Sequence, residues 1–285
     1  MPDDASRLTG TPPSSLPSRP APRRIGAVNW LGVWTLYLRE VQRFYKILGQ
    51  TVLAPVVTTL LFLAVFALAL GHASDMVEGV PYLGFLAPGL IMMAMVQNAY
   101  SNTSSGMVIM KIQGNVVDLL MAPLSPGELT FGFAMAGVTR GLVVGSAVTV
   151  AMALFTPLAV PSPVVPHLGA ALFYALAASL LLSLLGLLTG IWASKFDNIA
   201  FVTNFVITPF AFLSGTFYSV ERLPGIWRTV AQANPFFFMI DGFRYGLTGH
   251  ADGPLVVGAV VLTVLNVALW ILCHALFARG WKLKS

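Results

Sequence analysis

The sequence contains very few charged residues. Asp, Glu, Lys and Arg make up 9% of its 285 residues, whereas a soluble globular domain carries about a quarter. Hydrophobic residues account for 56% of the chain, and the mean hydropathy is +0.80. A chain of this length with so few charges cannot cover a water-facing surface, so the lipid bilayer must be part of its solvent.

Cysteine and catalytic motifs are also scarce. The single cysteine, Cys273, excludes an intramolecular disulfide and a thiolate cluster, and the spacing of the histidines does not indicate a metal site. The motifs H-E-x-x-H, G-x-S-x-G and the phosphate-binding G-x-x-x-x-G-K-[ST] are absent from the sequence. We therefore expect no catalytic residue, metal or cofactor in this chain, and any ATP hydrolysis must come from another chain.

The first 24 residues lack the apolar segment of a cleavable signal peptide. They are rich in proline, serine and arginine, a composition typical of a disordered segment. The sequence therefore predicts a disordered cytosolic tail over residues 1–24 and a membrane domain over residues 25–285.

Six apolar runs are each long enough, at about 20 residues, to cross a hydrocarbon core of roughly 30 Å. No alternating polar residues interrupt them, so we expect helices rather than the strands of a barrel. The fold class predicted is all-α, with six transmembrane helices. The runs lie near Thr51–Leu70, Tyr82–Ser101, Leu129–Phe155, His167–Trp192, Asn198–Tyr218 and Leu255–Phe277.

The distribution of lysine and arginine predicts the orientation of these helices. With the N-terminus in the cytoplasm, the inner side carries Arg39, Arg43, Lys46, Lys111, Lys195, Arg279, Lys282 and Lys284. The outer loops carry Arg222, Arg228 and Arg244. This bias places both termini in the cytoplasm, and it explains the net charge of +5 better than a nucleic-acid partner does.

The stretch Trp30–Leu48 precedes the first run and has apolar residues at helical spacing. Arg39, Arg43 and Lys46 fall on the opposite face. This pattern predicts a helix that lies in the cytosolic interface, with its basic side chains reaching towards the headgroups. Such a helix could be a plain membrane anchor or could contact a partner, and periodicity alone leaves both open.

The inner loop Gly106–Gly127 is the second segment outside the predicted spans. Pro123, Pro126 and Gly127 stop any helix at its end. Before them, Met107–Met121 is apolar but includes Lys111 and Asp118, which suits either a short helix at the membrane surface or a simple connection.

The outer segment Ser219–Asp252 is the third segment outside the predicted spans. Asn234 followed by Pro235 predicts a helix start, because a capping side chain precedes proline at the first helical position. Gly249 ends this helix, which at about 14 residues is too short to span. Asp241 and Arg244 are three residues apart on one face and can pair, which we interpret as a surface ion pair.

Ionisable residues within the spans are candidates for function, because their burial in lipid is costly. Arg140 is the one candidate, and its guanidinium could lie inside the helix bundle or reach the inner headgroups. The uncharged residues Gln97, Asn98 and Asn204 could line a substrate path or simply hydrogen-bond to neighbouring helices.

Several short motifs, taken in order, resemble a known family. They are Arg39-Glu40, Asp118–Ser125, Ala136–Gly141, Leu213–Gly215, Leu223-Pro224, Asn234-Pro235 and Asp241–Gly246. Their order and spacing over Trp30–Ser285 resemble the membrane subunits of ABC-2 type export systems, and among these the YadH-like permeases related to nodulation-factor and drug exporters.

This resemblance implies a dimer of permeases, either homodimeric or heterodimeric, that binds two separate ATP-binding cassette subunits and sits in membrane lipid. The ATP and Mg²⁺ would belong to the partner subunits. It also implies that the interfacial helix with Arg39, Glu40 and Arg43 receives the partner's motion, together with the inner loop. The loop residues concerned are Lys111, Gly114, Asp118, Pro123 and Pro126, and short re-entrant helices would follow outside.

Two other functions stay open at this point. A secondary transporter is disfavoured because the sequence places no Asp or Glu deep in a predicted span. A membrane-embedded enzyme is disfavoured because no nucleophile, base and orienting residue share one depth.

Overall fold

The computed structural model describes residues 26–69, 76–77, 80–155, 165–220 and 223–282. The predicted tail, residues 1–24, lies outside the described residues. Eleven α-helices and one π-helical turn make up most of the described part of the chain. The helices are α1 (Trp30–Tyr45), α2 (Leu48–Ala69), α3 (Tyr82–Ile112), α4 (Val116–Met121), α5 (Pro126–Phe155), α6 (Leu168–Trp192), α7 (Phe196–Val202), α8 (Thr208–Phe212), α9 (Ile226–Gln232), α10 (Pro235–Thr248) and α11 (Leu255–Arg279). Two short strands, β1 (Met76–Val77) and β2 (Val80–Pro81), pair antiparallel.

The all-α prediction is confirmed, and five of the predicted spans appear as helices long and apolar enough to cross a membrane. These five are α2, α3, α5, α6 and α11. Their existence follows from the length of the apolar runs, since only a helix satisfies its own backbone groups without water.

The fifth predicted run, Asn198–Tyr218, differs from the others. Its helical part is Phe196–Phe212, which is 17 residues long and falls short of the length of a span. A π-helical turn at Thr203–Ile207 interrupts it just before Pro209, with the N–H of Thr208 bonded to the carbonyl of Thr203. Proline has no N–H to donate, and such a gap favours a local change of winding. A membrane-spanning helix at the fifth predicted run, and with it a total of six, therefore stays a prediction.

The second span is much longer than predicted. Helix α3 continues past Ser101 to Ile112, so the loop expected from Gly106 begins only at Gln113. The sequence suggested an earlier end because Asn102–Ser105 are polar. In the structure the hydroxyl groups of this stretch donate to backbone carbonyls inside the bundle. Thr103, for example, donates to the carbonyl of Ser183 on α6, with an oxygen-to-oxygen distance of 2.8 Å.

Helix α3 forms the centre of the bundle. It packs along α5 and α6, and α10 packs against both α3 and α6. Glycines on α6 allow this approach: a Cβ on Gly186 would lie 2.4 Å from the carbonyl oxygen of Tyr100 on α3. Helices α1 and α4 lie at one end of the bundle, termed the α1 end, and α10 lies at the other, termed the α10 end.

The short helix α10 follows the sequence prediction closely. The side chain of Asn234 accepts a hydrogen bond from the N–H of Phe236, Pro235 occupies the first turn, and Gly249 ends the helix with φ of 79°. A left-handed residue at this position is favourable for glycine, which has no Cβ.

Candidate functional site

The start of α1 and the start of α5 are joined by one carboxylate. Ser125 and Glu128 form a capping box, in which the carboxylate accepts from the N–H of Ser125 at 2.6 Å and the hydroxyl accepts from the N–H of Glu128 at 3.3 Å. The same carboxylate accepts from the N–H of Asn29 at 2.5 Å. Glu128 was not among the predicted site residues, although the S-x-x-E pattern was the signal that could have found it.

Asn29 strengthens this junction. Its side-chain oxygen accepts from the N–H of Gly32 and so caps α1, while its amide donates to the carbonyl of Pro123 at 3.0 Å. The loop between α4 and α5 and the first turn of α1 are therefore held together by side-chain hydrogen bonds. We call this junction the Glu128 clasp.

A groove of about 650 Å³ lies beside the clasp, between α1 and α4. It is mostly apolar and includes the charged residues Arg39 and Asp118. Its apolar lining includes Val28, Leu31, Leu36, Leu119, Ala122 and Leu124. Large apolar side chains are also exposed next to it, with Trp30 at 72% and Met121 at 80%. An exposed apolar surface of this kind is typical of a contact with another molecule.

The structure separates the loop residues that the resemblance singled out. Asp118 and Pro123 line the groove. Gly114 is exposed with φ of 74° in the turn after α3, and Pro126 begins α5. Lys111 does not line the groove. Its ammonium group donates to the carbonyls of Ile191 and Ala193 at the C-terminal end of α6.

Two polar residues of α1, Glu40 and Arg43, are turned into the protein, whereas the Arg39 side chain stays half exposed. Glu40 is buried, with 2% of its surface exposed, and its carboxylate accepts from Arg43 at 3.0 Å and from Arg39 at 3.4 Å. Arg43 also donates to Asn102 and Ser105 on α3. The expectation that Arg43 reaches the headgroups is wrong, because its guanidinium is bound by the carboxylate of Glu40 and by α3.

Arg140 lies near the middle of α5, and its guanidinium donates to the side-chain oxygen of Asn98 on α3 at 3.2 Å. Asn98 in turn donates to the carbonyl of Ala94. Gln97 and Asn98 line two cavities along one face of α3. One, of about 260 Å³, faces α2, and the other, of about 270 Å³, faces α7 and the π-helical turn.

Asn204 does not join this group. It lies in the π-helical turn, is exposed, and lines neither of the two cavities. Of the four residues predicted to lie in the bundle or along a path, the structure therefore brings Gln97, Asn98 and Arg140 together. Whether they carry a substrate stays a prediction.

At the α10 end, a cluster of charged side chains is buried. Arg244 and Asp241 each have about 2% of their surface exposed, so the interpretation as a surface ion pair is wrong. The carboxylate of Asp241 accepts from the N–H groups of Asp252 and Gly253 at 2.7 and 3.0 Å. Arg244 instead forms an ion pair with Asp252, with a nitrogen-to-oxygen distance of 3.9 Å.

This cluster joins segments that are distant in the chain. Arg244 donates to the carbonyl of Gly215 at 2.8 Å, and its guanidinium lies 3.8 Å from the centre of the Phe85 ring on α3. Asp252 accepts from the hydroxyl of Ser219 at 3.1 Å. We call these residues the α10 cluster. Within the described ranges, no group of three His, Cys, Asp or Glu side chains could hold a metal ion.

Comparisons with known proteins agree with this arrangement. The sequence profile described as ABC-2 type transporter matches residues 32–248. The inner membrane transport permease YadH of Escherichia coli K12 is 40% identical over 256 residues, which cover 90% of this chain and 98% of the relative. Nodulation protein J of Rhizobium leguminosarum bv. viciae is 26% identical over 259 residues, or 89% of this chain and 95% of the relative. The same protein of Rhizobium meliloti is 26% identical over 254 residues, covering 85% of this chain and 92% of the relative.

Proposed function

The chain belongs to the ABC-2 type transporter family, and from this premise we propose that it is an export permease driven by two separate ATP-binding cassette subunits. One observation carries the proposal: a membrane bundle with no phosphate-binding motif in its sequence exposes an apolar groove next to its α1 end. A transporter that cannot hydrolyse ATP itself needs a contact surface for a subunit that can, and the groove is suited to that contact.

We place the α1 end in the cytoplasm of a cell with an inner membrane. Arg39, Arg43 and Lys46 lie in or next to α1, and Arg279 lies at the matching end of α11. The excess of lysine and arginine at this end supports the assignment, as does the inner-membrane location in the name of the YadH relative. The α10 end would then face outwards, with both termini in the cytoplasm.

Cysteine labelling tests this orientation. In a Cys273→Ala chain, we expect Thr229→Cys to react in intact cells with a thiol reagent that cannot cross the membrane. Gln113→Cys should react only after the cells are opened. Both positions are exposed in the structure, and the native Cys273 is buried. Labelling of Gln113→Cys in intact cells would reverse the orientation.

A charge reversal tests the docking groove. We expect Asp118→Lys to abolish or strongly reduce copurification of a coexpressed cassette ATPase, because Asp118 lines the groove. Gln113→Lys introduces the same lysine nearby, at an exposed position outside the groove lining, and should copurify normally. Membrane abundance of both variants is measured by immunoblot. Equal retention of the ATPase by both variants would exclude the groove as its docking site.

The surface of the bundle suits a dimer surrounded by lipid. In the apolar stretches of α2 and α11, only 17% of the residues are buried within one copy of the chain. These helices therefore present wide apolar faces, which lipid and a second permease can cover. We propose a homodimer, or a heterodimer with a similar permease, and we place Gln97, Asn98 and Arg140 along the path between the two ends.

A further inference from the structure

Helix α1 reaches the centre of the bundle through one arginine side chain. The guanidinium of Arg43 donates to the carbonyl of Asn102 on α3 at 2.6 Å and to its side-chain oxygen at 3.3 Å. It also donates to the hydroxyl of Ser105 at 3.4 Å. A planar group with several donors can hold these acceptors together, which a single ammonium group cannot do.

Glu40 fixes the orientation of this arginine. Its carboxylate accepts from Nε of Arg43 at 3.0 Å, and the Glu40 side chain is only 3% exposed. A buried carboxylate is stable only when it is well paired, and Arg43 provides that pairing. The two remaining donor nitrogens of the guanidinium are thereby directed at α3.

Gly106 provides the space in which this pair rests against α3. A Cβ at this position would lie 2.6 Å from a terminal nitrogen of Arg43 and 2.9 Å from the carboxylate of Glu40. Even alanine would therefore displace the pair while leaving both charges in the chain.

The contacts of α1 with α5 combine close packing with hydrogen bonds. Leu36 packs against Gly132, and Tyr37 shares a hydrogen bond of 2.9 Å with Thr139. Toward α3, in contrast, α1 extends long polar side chains, including Arg39, which donates to the sulfur of Met110. A movement of α1 can thus pull on α3 through directed hydrogen bonds.

Helix α3 is well placed to distribute such a movement. Asn98, one turn from Asn102, accepts from Arg140 on α5, and α3 also packs along α6 and α10. A displacement applied at Asn102 therefore acts on the residues that line both cavities beside α3.

We propose that Arg43, oriented by Glu40 and seated at Gly106, is the positioning residue that transmits movement of α1 to α3 during the transport cycle. This inference rests on the proposed function, because the movement comes from the ATPase docked at the α1 end. Continuity of the chain into α2 and the packing of α1 on α5 are the alternative routes, and with either of them α3 would still respond after the Arg43 contact is lost.

Hydrogen–deuterium exchange distinguishes these routes. It is measured on the purified complex of the permease with its ATPase, with and without ATP and orthovanadate. In the wild type we expect nucleotide to change exchange in residues 26–45 and also in residues 95–106. In Arg43→Gln and Gly106→Ala, the response of residues 26–45 should persist and that of residues 95–106 should be lost. Arg43→Lys should retain part of it. Lys46→Gln removes an exposed charge from the same region and should respond as the wild type does.

Each outcome bears on one proposal. An unchanged response of residues 95–106 in both Arg43→Gln and Gly106→Ala would overturn the inference while leaving the docked ATPase intact. Loss of the response in Lys46→Gln as well would also overturn it, because the effect would then follow charge rather than the contact with α3. Failure of the ATPase to protect residues 113–124 in the wild type would instead contradict the proposed function.

Discussion

The buried charges at the two ends of the bundle join different numbers of segments, and at the α1 end Glu40 and Arg43 join only α1 to α3. At the α10 end, charged side chains are buried and join four segments, with Arg244 bonded to Gly215 and paired with Asp252. At the α1 end, large apolar side chains such as Trp30 and Met121 are exposed. A few long side chains hold that end in place.

This difference has a physical reason. Charges removed from water must be matched by close partners, so a buried cluster permits one arrangement and resists displacement. Exposed apolar surface is favourable only when something covers it. We therefore expect the α10 end to be the more rigid of the two and the α1 end to be the one that contacts a partner. Three variants compare the stability of the α10 end, the centre of the bundle and the α1 end, in order of decreasing effect.

The largest effect is expected from Arg244→Leu in the α10 cluster. This change removes the guanidinium that pairs with the buried carboxylate of Asp252 and donates to the carbonyl of Gly215, which should lower the free energy of unfolding by about 3–5 kcal/mol. Thermal unfolding of the purified permease in detergent measures the loss. Arg279→Leu, at an exposed position at the end of α11, is the control and should change stability by less than about 0.5 kcal/mol. Equal unfolding temperatures would show that the cluster does not stabilise this end.

A smaller effect is expected where α6 packs on α3. In Gly186→Ala the added carbon would lie 2.4 Å from the backbone oxygen of Tyr100, and such overpacking costs about 1–3 kcal/mol. Gly169→Ala is the matched change on the same helix, because no atom lies within 4 Å of its added carbon. It should be neutral or slightly stabilising. If both variants unfolded alike, the close approach of α3 and α6 would not be needed for stability.

The smallest effect is expected from Glu128→Gln at the α1 end. The neutral amide weakens the hydrogen bonds to the N–H groups of Asn29 and Ser125, and loss of such a cap costs about 1 kcal/mol. The global unfolding temperature should barely change, whereas hydrogen exchange in residues 26–32 should become faster. Unchanged exchange there would mean that the Glu128 clasp does not hold α1.

Much of the fold could be predicted because its signals are local. The start of α10 at Asn234 and Pro235 depends on neighbouring residues alone, and so does its end at Gly249. The capping box at Ser125 and Glu128 was equally local, but its second contact, with Asn29, lies 99 residues away. Sequence reasoning therefore located the loop and missed the residue that joins it to α1.

The sequence by itself determined that this protein resides in a membrane, because long apolar runs and few charges leave a chain no stable alternative in water. It also determined the helical class and the motifs of the family. Only the tertiary structure decided that α3 continues past its polar residues, that Arg244 pairs with Asp252 rather than Asp241, and that Arg43 faces α3. The reason is the same in each case: a polar side chain adopts the position in which its hydrogen bonds are satisfied, and its partners here come from segments that folding brings together.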